Sequence, residues 1–243
     1  MKLIDYETAR LISRKSQKVV IKELNNLSLA PEPEIGYEVI RLLFMEFAKE
    51  SIRFGNNRYD FLMYPHFFRE RQLSSVITPI LYRLCKGFVM AELPVHRNDS
   101  DNNCWADYWC IYKNYTFIIE MKHSRDILDT DSILEDSIVG RWKQMKKQLG
   151  SVKNEIRLFE EKTEGVIRIG LHFISSKSNK ELDQSNIKNY QSKTKERLIR
   201  FGKKLKPDYA GCWLVPEKTV NFEGLAYPGV LLMGKIYSPI PHK

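Results

Sequence analysis

Apolar positions along this chain recur at helical spacing in some stretches and form near-continuous runs in others. The clearest helical pattern begins around residue 131, where successive apolar residues are three or four positions apart: Ile138, Trp142, Met145, Leu149, Val152 and Ile156. Such a stripe suits a helix that packs one face on a sheet. A second stripe, from Leu73 to Leu84, predicts another helix with Glu70 at its amino end. We expect Pro79 to kink or split it, because proline lacks the amide hydrogen and clashes with the preceding turn.

The first sixty residues are predicted to be mainly helical. Five apolar residues recur there at helical spacing, namely Leu11, Ile12, Val19, Val20 and Leu24, before Ala30-Pro31-Glu32-Pro33 interrupts the pattern. A further helix is predicted from about residue 34 to residue 52. Because no internal repeat or low-complexity linker follows, we expect residues 1–60 to be a helical segment packed on the core of a domain formed by residues 61–243.

Runs of aromatic and β-branched residues predict the strands. Six such runs occur, at residues 88–96, 108–112, 115–119, 166–175, 212–215 and 229–237. The second and third surround a polar break at Lys113-Asn114, which is the pattern of a β-hairpin. A helix anchored by Leu198, Phe201 and Leu205 is predicted before the last two strands. The order of elements predicts an α/β fold with a mixed central β-sheet flanked by helices.

Composition narrows the class of protein. With 243 residues, of which 43% are hydrophobic, the chain is long enough to bury a substantial core. No apolar run reaches the length of a membrane span, and the N-terminus lacks the apolar region of a signal peptide. The cysteines, at positions 85, 104, 110 and 212, have neither zinc-site spacing nor that of a disulfide framework. We therefore expect a cytoplasmic protein with reduced thiols that binds neither zinc nor a membrane.

The predicted hairpin carries two acids and a lysine in an apolar context. Asp107 lies in its first, largely apolar strand, and Glu120 ends the second run, two residues before Lys122, with Glu120 expected at a strand end on the sheet edge. Because strand side chains alternate, Glu120 and Lys122 share one face, roughly 6.6 Å apart, and an antiparallel partner can bring Asp107 beside them. Two carboxylates beside a lysine suit a divalent cation and a phosphate. A surface acid on an edge strand and a solvated lysine are the alternatives.

Positive charge is concentrated in one segment of the chain. Residues 177–206 contain ten lysines and arginines against three acids, so this segment carries +7 of the net charge of +9. A solvated helix face is the common explanation of such a run. The alternative is a nucleic-acid-binding surface, since clustered cations hold a polyanion that nearby carboxylates repel. The acids and lysine of the hairpin favour this second explanation.

This arrangement resembles the PD-(D/E)XK nuclease superfamily, whose fold is that of restriction endonucleases. The resemblance is carried by Asp107 and Glu120-x-Lys122, with upstream support from Phe68-Arg69-Glu70-Arg71 and Glu92-Leu93-Pro94-Val95. It covers about residues 66–175, and its context is a preceding helix, an apolar strand on each side and a polar-faced helix afterwards. It implies that residues 61–243 form a nuclease-like domain and that the protein is a metal-dependent deoxyribonuclease.

The resemblance also implies roles for single residues. Asp107, Glu120 and Glu70 would be catalytic acids that bind Mg²⁺, for which Mn²⁺ can substitute, together with the carbonyl of Met121. Lys122 would stabilise negative charge on the phosphate or orient the attacking water.

Several of these roles have alternatives. Glu70 is equally well explained as a helix-start glutamate favoured by the helix dipole, with Glu92 as its rival for the metal. His123 is expected outside the set of metal ligands, because no HxH or HExxH spacing occurs in the sequence.

Nucleic-acid contacts are predicted from two helices. The basic segment would bind phosphates through four side chains: Arg197, Arg200, Lys203 and Lys204. Gln144 and Gln148 resemble glutamines that some branches of the superfamily place on the helix after the ExK motif, although solvated helix residues are the alternative. Arg71, Lys143 and Lys147 are further basic candidates, with an ordinary surface position as the default.

Three classes of function are compatible with these features. A metal-dependent nuclease, with DNA preferred to RNA and endonuclease action to exonuclease action, accounts for the acids, the lysine and the basic segment together. A nucleic-acid-binding or assembly module that retains the nuclease fold is the alternative. An enzyme for a small phosphorylated substrate is disfavoured by the basic segment, and neither GxxxxGK[ST] nor GxGxxG is present. A homodimer or a partner protein is compatible with the nuclease hypothesis.

Overall fold

The computed structural model describes residues 2–12, 15–25, 34–55, 70–97, 100–130, 135–152, 163–180, 185–215 and 226–240. Within these residues the chain forms one mixed β-sheet of eight strands: β1 (Lys2–Ile12), β2 (Lys15–Asn25), β3 (Val89–Arg97), β4 (Ser100–Tyr112), β5 (Tyr115–Ile127), β6 (Gly165–Ser178), β7 (Tyr209–Leu214) and β8 (Ala226–Ile240). The spatial order is β1-β2-β7-β8-β6-β5-β4-β3. Neighbouring strands are antiparallel except β5 and β6, which are parallel.

Helices cover both faces of this sheet: α1 (Glu34–Gly55), α2 (Glu70–Leu84), α3 (Glu135–Gly150) and α4 (Ile187–Leu205). Phe44 of α1 and Ile77 of α2 belong to a buried cluster on one face. Met145 of α3 and Phe201 of α4 belong to a second cluster on the other face. The predicted α/β class, with a mixed sheet flanked by helices, is confirmed. None of the described helices is long and apolar enough to cross a membrane.

The prediction of a helical N-terminus is wrong for residues 2–12 and 15–25. β1 and β2 form an antiparallel hairpin, and β2 extends the sheet by pairing with β7 from Ile21 to Glu23. Ile21 and Leu24 are buried. The apolar residues of this segment include several β-branched ones, which fit a pleated surface, and pairing with β7 overrides a weak helical periodicity. The segment therefore contributes two strands to the sheet, whereas the predicted helix at 34–52 is confirmed as α1.

Of the two effects expected at Pro79, a kink or a split of the helix, the split is wrong as well. α2 is continuous through Pro79, which lies on the exposed side. The opposite side of the helix is fully buried, at Leu73, Ile77, Ile80 and Leu81. Tertiary packing of this face keeps the helix intact despite the missing backbone hydrogen bond.

The remaining predicted elements are confirmed with shifted ends. All six predicted strands occur, as β3 to β8. The stripe on α3 is buried at Ile138, Trp142, Met145 and Leu149, but α3 ends at Gly150, before Val152. Ile156, Phe68 and Arg69 lie outside the described residues. The basic segment 177–206 is not all helix: Lys177 lies in β6, which ends at Ser178, and α4 begins at Ile187, with its three predicted anchors buried.

Candidate active site

β5 loses its partner β4 halfway along its length. The β4–β5 ladder runs from the pair Tyr112–Tyr115 to the pair Tyr108–Ile119, whereas β5 continues to Ile127, paired only with β6 beyond that point. The expectation that Glu120 ends its strand is therefore wrong, because it lies in the middle of β5. The expected edge position arises differently: β4 turns away, which opens one side of β5 next to Glu120.

Carboxylates take the place of the missing strand. The Met121 amide donates a hydrogen bond to Asp107 Oδ2 (2.6 Å), and the His123 amide donates one to Glu70 Oε2 (3.0 Å). Amides two residues apart point to the same side of a strand, so these are the groups that β4 would otherwise bind. The first residue of α2 and the residue at which β4 diverges are thereby fixed at adjacent positions along β5.

A buried ion pair lies beside these carboxylates. Lys122 Nζ is 2.7 Å from Glu120 Oε1, and the two side chains are 9% and 4% exposed. The same ammonium donates a hydrogen bond to the Met121 carbonyl (3.1 Å) and lies 3.9 Å from Glu70 Oε1. The structure thus brings Asp107, Glu120, Lys122, Glu70 and the Met121 carbonyl into one cluster, supplied by β4, β5 and α2.

The donor atoms of this cluster are of the type that Mg²⁺ prefers, since they are carboxylate and carbonyl oxygens. Three of them already surround a cation, the ammonium of Lys122. Among the described residues, however, no three His, Cys, Asp or Glu side chains are grouped closely enough to hold a metal ion by themselves. A metal here would compete with Lys122 for Glu120 and complete its coordination with the Met121 carbonyl and water.

α3 brings a second cation to the cluster. Arg141 Nη1 lies 3.8 Å from Glu70 Oε2, and the arginine side chain is 47% exposed. α3 approaches the sheet closely at Gly170, which is the β6 residue paired with Glu120. A Cβ at Gly170 would lie only 2.6 Å from Met145 Cε, so glycine is what allows this approach.

Gln144 and Gln148 share one flank of α3 with Arg141, because they follow it by three and seven residues. Gln144 is exposed, whereas Gln148 is half-buried, and its Oε1 contacts no hydrogen-bond donor in the part of the chain that the structure describes. Arg141 is a residue of the site that the sequence motif does not predict. The i, i+3, i+7 spacing of the three residues is the signal that could have found it. Lys143 and Lys147 are exposed on the same helix.

The four basic residues predicted to bind nucleic acid differ in their surroundings. Arg197 is only 11% exposed, with Nε 3.3 Å from Asp126 Oδ2 and Nη2 donating to the Thr130 carbonyl. These contacts attach α4 to the end of β5, on the face that carries Glu120 and Lys122. The other three are exposed and line a surface hollow on α4: Arg200, Lys203 and Lys204.

Buried histidines lie on both faces of the sheet near the cluster. His123 Nε2 is 2.9 Å from Ser175 Oγ, and His172 Nε2 is 2.8 Å from Ser124 Oγ. Burial lowers the pKa of each imidazole to about 3, and for His123 the charges of nearby arginines add to this effect. Both rings are therefore neutral near pH 7. The His123 ring lies on the face opposite Lys122, since successive strand side chains alternate.

The two rival acids, Glu70 and Glu92, have different positions. Glu92 lies on the edge strand β3, between the residues paired with Ala106 and Tyr108 and thus across from Asp107. It is exposed and has a left-handed backbone, with φ of +54°. Of these two glutamates, Glu70 is the one whose carboxylate contacts β5. The Arg71 side chain lies outside the described part of the chain.

Comparison with known proteins identifies no family. The chain matches no protein-family model, no curated protein and no solved structure. Any assignment of function therefore depends on the chemistry and geometry of the cluster.

Proposed function

We propose that this protein is a metal-dependent nuclease of the PD-(D/E)XK type that hydrolyses phosphodiester bonds, acting on DNA as an endonuclease. The observation that carries the proposal is the convergence of Asp107, Glu120, Lys122 and Glu70. Three of them belong to the β4–β5 hairpin, whereas Glu70 comes from α2, earlier in the chain, and all four meet where β4 leaves β5. A cluster of carboxylates with a lysine among them serves phosphate chemistry better than it serves stability, because buried ion pairs are often no more stabilising than apolar residues.

Each member of the cluster has a chemical task in this proposal. Asp107, Glu120, Glu70 and the Met121 carbonyl would hold Mg²⁺ or Mn²⁺, which when bound lowers the pKa of a water molecule and polarises the scissile phosphate. Lys122, released from Glu120, places its ammonium where negative charge develops on the phosphate. The low exposure of Glu120 and Lys122 strengthens such interactions, since charges interact more strongly away from bulk water.

The basic surface of α4 has a supporting task. Arg200, Lys203 and Lys204 are exposed on the helix that Arg197 attaches to the end of β5. Asp126, the partner of Arg197, lies four residues beyond Lys122 on β5, roughly 13 Å along the strand. The exposed cations of α4 would hold the backbone of a nucleic acid independently of its base sequence, so binding would weaken steeply as salt rises.

One observation favours a second candidate, a nucleic-acid-binding or assembly module without catalysis. Asp107 and Glu70 complete the hydrogen bonding of β5, and Glu120 pairs with Lys122, so these four residues also have structural partners without any metal. Such a module would bind nucleic acid through α4 with no requirement for a divalent cation.

Cleavage assays distinguish the two candidates. Supercoiled plasmid and linear single- and double-stranded DNA are incubated with the wild-type protein in Mg²⁺, Mn²⁺ or EDTA, alongside Glu120→Gln. Glu50→Gln is a matched control, because Glu50 is also a buried acid paired with an arginine, on the helix layer of the opposite face. The nuclease proposal predicts metal-dependent cutting that is lost in Glu120→Gln and kept in Glu50→Gln. Metal-independent binding to DNA without cutting of any substrate would support the binding module instead.

A further inference from the structure

The cluster contains a cation whose position neither the fold nor the sequence motif explains. Arg141 is on α3, outside the hairpin that carries the motif, and its guanidinium lies at the exposed rim of the cluster. Glu70 faces a cation at each oxygen, with Arg141 Nη1 3.8 Å from Oε2 and Lys122 Nζ 3.9 Å from Oε1. One of these cations is buried and the other is 47% exposed.

The contact with Glu70 does not account for the arginine. At 3.8 Å the two atoms are too far apart for a hydrogen bond, and half-exposed ion pairs of this kind contribute little to stability. The same carboxylate oxygen already accepts a hydrogen bond from the His123 amide at 3.0 Å. Arg141 is therefore held near the cluster without its planar set of donors being committed to Glu70, and that set matches two oxygens of a phosphate.

α3 holds the arginine at this rim rigidly. The next residue, Trp142, is buried and donates its indole N–H to the Leu205 carbonyl at the end of α4 (3.1 Å). Close packing of Met145 over Gly170 fixes the following turn against the sheet. The Cα of Arg141 consequently has a defined position next to the opening between β4 and β5.

The balance of charge at the cluster indicates what this cation does. The carboxylates of Asp107, Glu120 and Glu70 carry a formal charge of −3, against +1 from Lys122. The Glu70 side chain is 33% exposed, so a polyanion approaching from solvent meets this carboxylate and is repelled by its charge. A guanidinium at that rim offsets the repulsion and binds the incoming phosphate at the same time.

We propose that Arg141 binds a backbone phosphate of the nucleic acid at the cluster, from the solvent side, while Lys122 faces the same region from the buried side. This inference rests on the proposed function, since it assumes a nucleic-acid substrate. It adds a residue of α3 to the substrate contacts and places the substrate backbone over the Arg141–Gln144 flank of that helix.

Binding is measured in the Glu120→Gln background, so that cleavage does not interfere. A fluorescent DNA duplex is titrated at several salt concentrations with Glu120→Gln alone and with added Arg141→Ala, Arg141→Lys or Lys146→Ala. Lys146 is the matched control, because it is exposed on α3 but lies about 140° away from Arg141 around the helix, five residues on. Thermal unfolding of each variant shows whether the fold is intact.

The proposal predicts that Arg141→Ala weakens binding about 10-fold and lowers the salt slope by about one released counterion. Arg141→Lys should recover part of the affinity, and Lys146→Ala should stay within about 2-fold of the parent. Equal losses for Arg141→Ala and Lys146→Ala would show that Arg141 contributes only general charge, and unchanged binding in Arg141→Ala would overturn the proposal outright.

Cleavage by the otherwise wild-type protein separates this inference from the proposed function. If the wild type cuts DNA and Arg141→Ala cuts with unchanged kcat/KM, the nuclease assignment stands and the role of Arg141 is wrong. If the wild type cuts nothing but Arg141→Ala still weakens binding selectively, the phosphate contact stands and catalysis is wrong.

Discussion

Replacing Lys122 by methionine tests the buried ion pair at the centre of the cluster. The substitution keeps most of the side-chain volume but removes the ammonium that lies 2.7 Å from Glu120 Oε1 and 3.1 Å from the Met121 carbonyl. With side chains only 9% and 4% exposed, neither water nor any rearrangement at the surface readily replaces it. Removing one partner of such a pair leaves an uncompensated buried charge, which costs about 3–5 kcal/mol.

The cost should be measurable as a loss of stability in the absence of metal. For a domain of this size, about 3 kcal/mol corresponds to a lower Tm by roughly 6–12 °C. Glu120→Gln combined with Lys122→Met should recover most of the loss, because the double variant removes both charges, so the two substitutions couple by about 2–3 kcal/mol. Urea unfolding in EDTA, followed by tryptophan fluorescence, gives these free energies. Lys143→Met, an exposed change on α3, should shift stability by no more than about 0.5 kcal/mol.

Divalent metal should partly replace the missing ammonium. In Lys122→Met, Mg²⁺ no longer competes with Lys122 for Glu120, so it should stabilise this variant more than the wild type. A metal present at 100 times its Kd adds about 2.7 kcal/mol to the free energy of unfolding. The reasoning is refuted if Lys122→Met is as stable as the wild type in EDTA, or if the double variant is no more stable than the single one.

Three further predictions concern other features of the fold. Because burial lowers the pKa of His123 and His172 to about 3, the unfolded chain binds more protons than the folded one between pH 6.5 and 3, and stability must fall as pH falls through that window. Each histidine should cost about 3 kcal/mol at pH 4.5, and urea unfolding of His172→Asn should show a shallower decline. Arg197→Ala should destabilise the fold by about 3 kcal/mol, because buried Asp126 loses the guanidinium that lies 3.3 Å from its Oδ2. The salt slope of DNA binding should stay nearly unchanged, and a reduced slope with unchanged stability contradicts this. Gly170→Ala should cost about 1–3 kcal/mol in urea unfolding through overpacking against Met145, and a neutral effect would show that α3 moves freely over β6.

Much of the architecture could be predicted from the sequence, because local periodicity reports which faces are buried. The apolar stripe of α3 indicates a helix with one buried face, and the six apolar runs that form β3 to β8 indicate strands. The motif residues were found by the same logic, since acids and a lysine are costly in apolar strands unless something binds them. His123 shows the limit of reasoning from neighbours in the sequence. It follows Lys122 directly, but strand alternation puts its ring on the other face of the sheet, against Ser175.

The predictions that the structure contradicts concern features that depend on residues far away in the sequence. The apolar spacing of residues 2–12 and 15–25 is compatible with a helix, but they form strands because β2 pairs with the edge of β7 and β1 pairs with β2. α2 passes through Pro79 because its buried face is held by the core. Arg197 belongs to a basic run in the sequence, yet its ion pair with Asp126 of β5 leaves its side chain only 11% exposed, unlike the exposed basic residues of α4. None of these partners can be identified from neighbouring residues, since each contact joins segments far apart in the chain.

The chemical groups that this protein carries can be read directly from its residues: two acids and a lysine in a hairpin, a glutamate at a helix start, and a concentrated basic segment. Their convergence, by contrast, depends on tertiary packing. β4 leaves β5 after Ile119, and the β5 amides beyond that point donate hydrogen bonds to Asp107 and Glu70. α3 adds Arg141 at the exposed rim of the cluster. Residue types are given at each position of the chain, whereas the place where a strand loses its partner depends on the packing of the whole sheet.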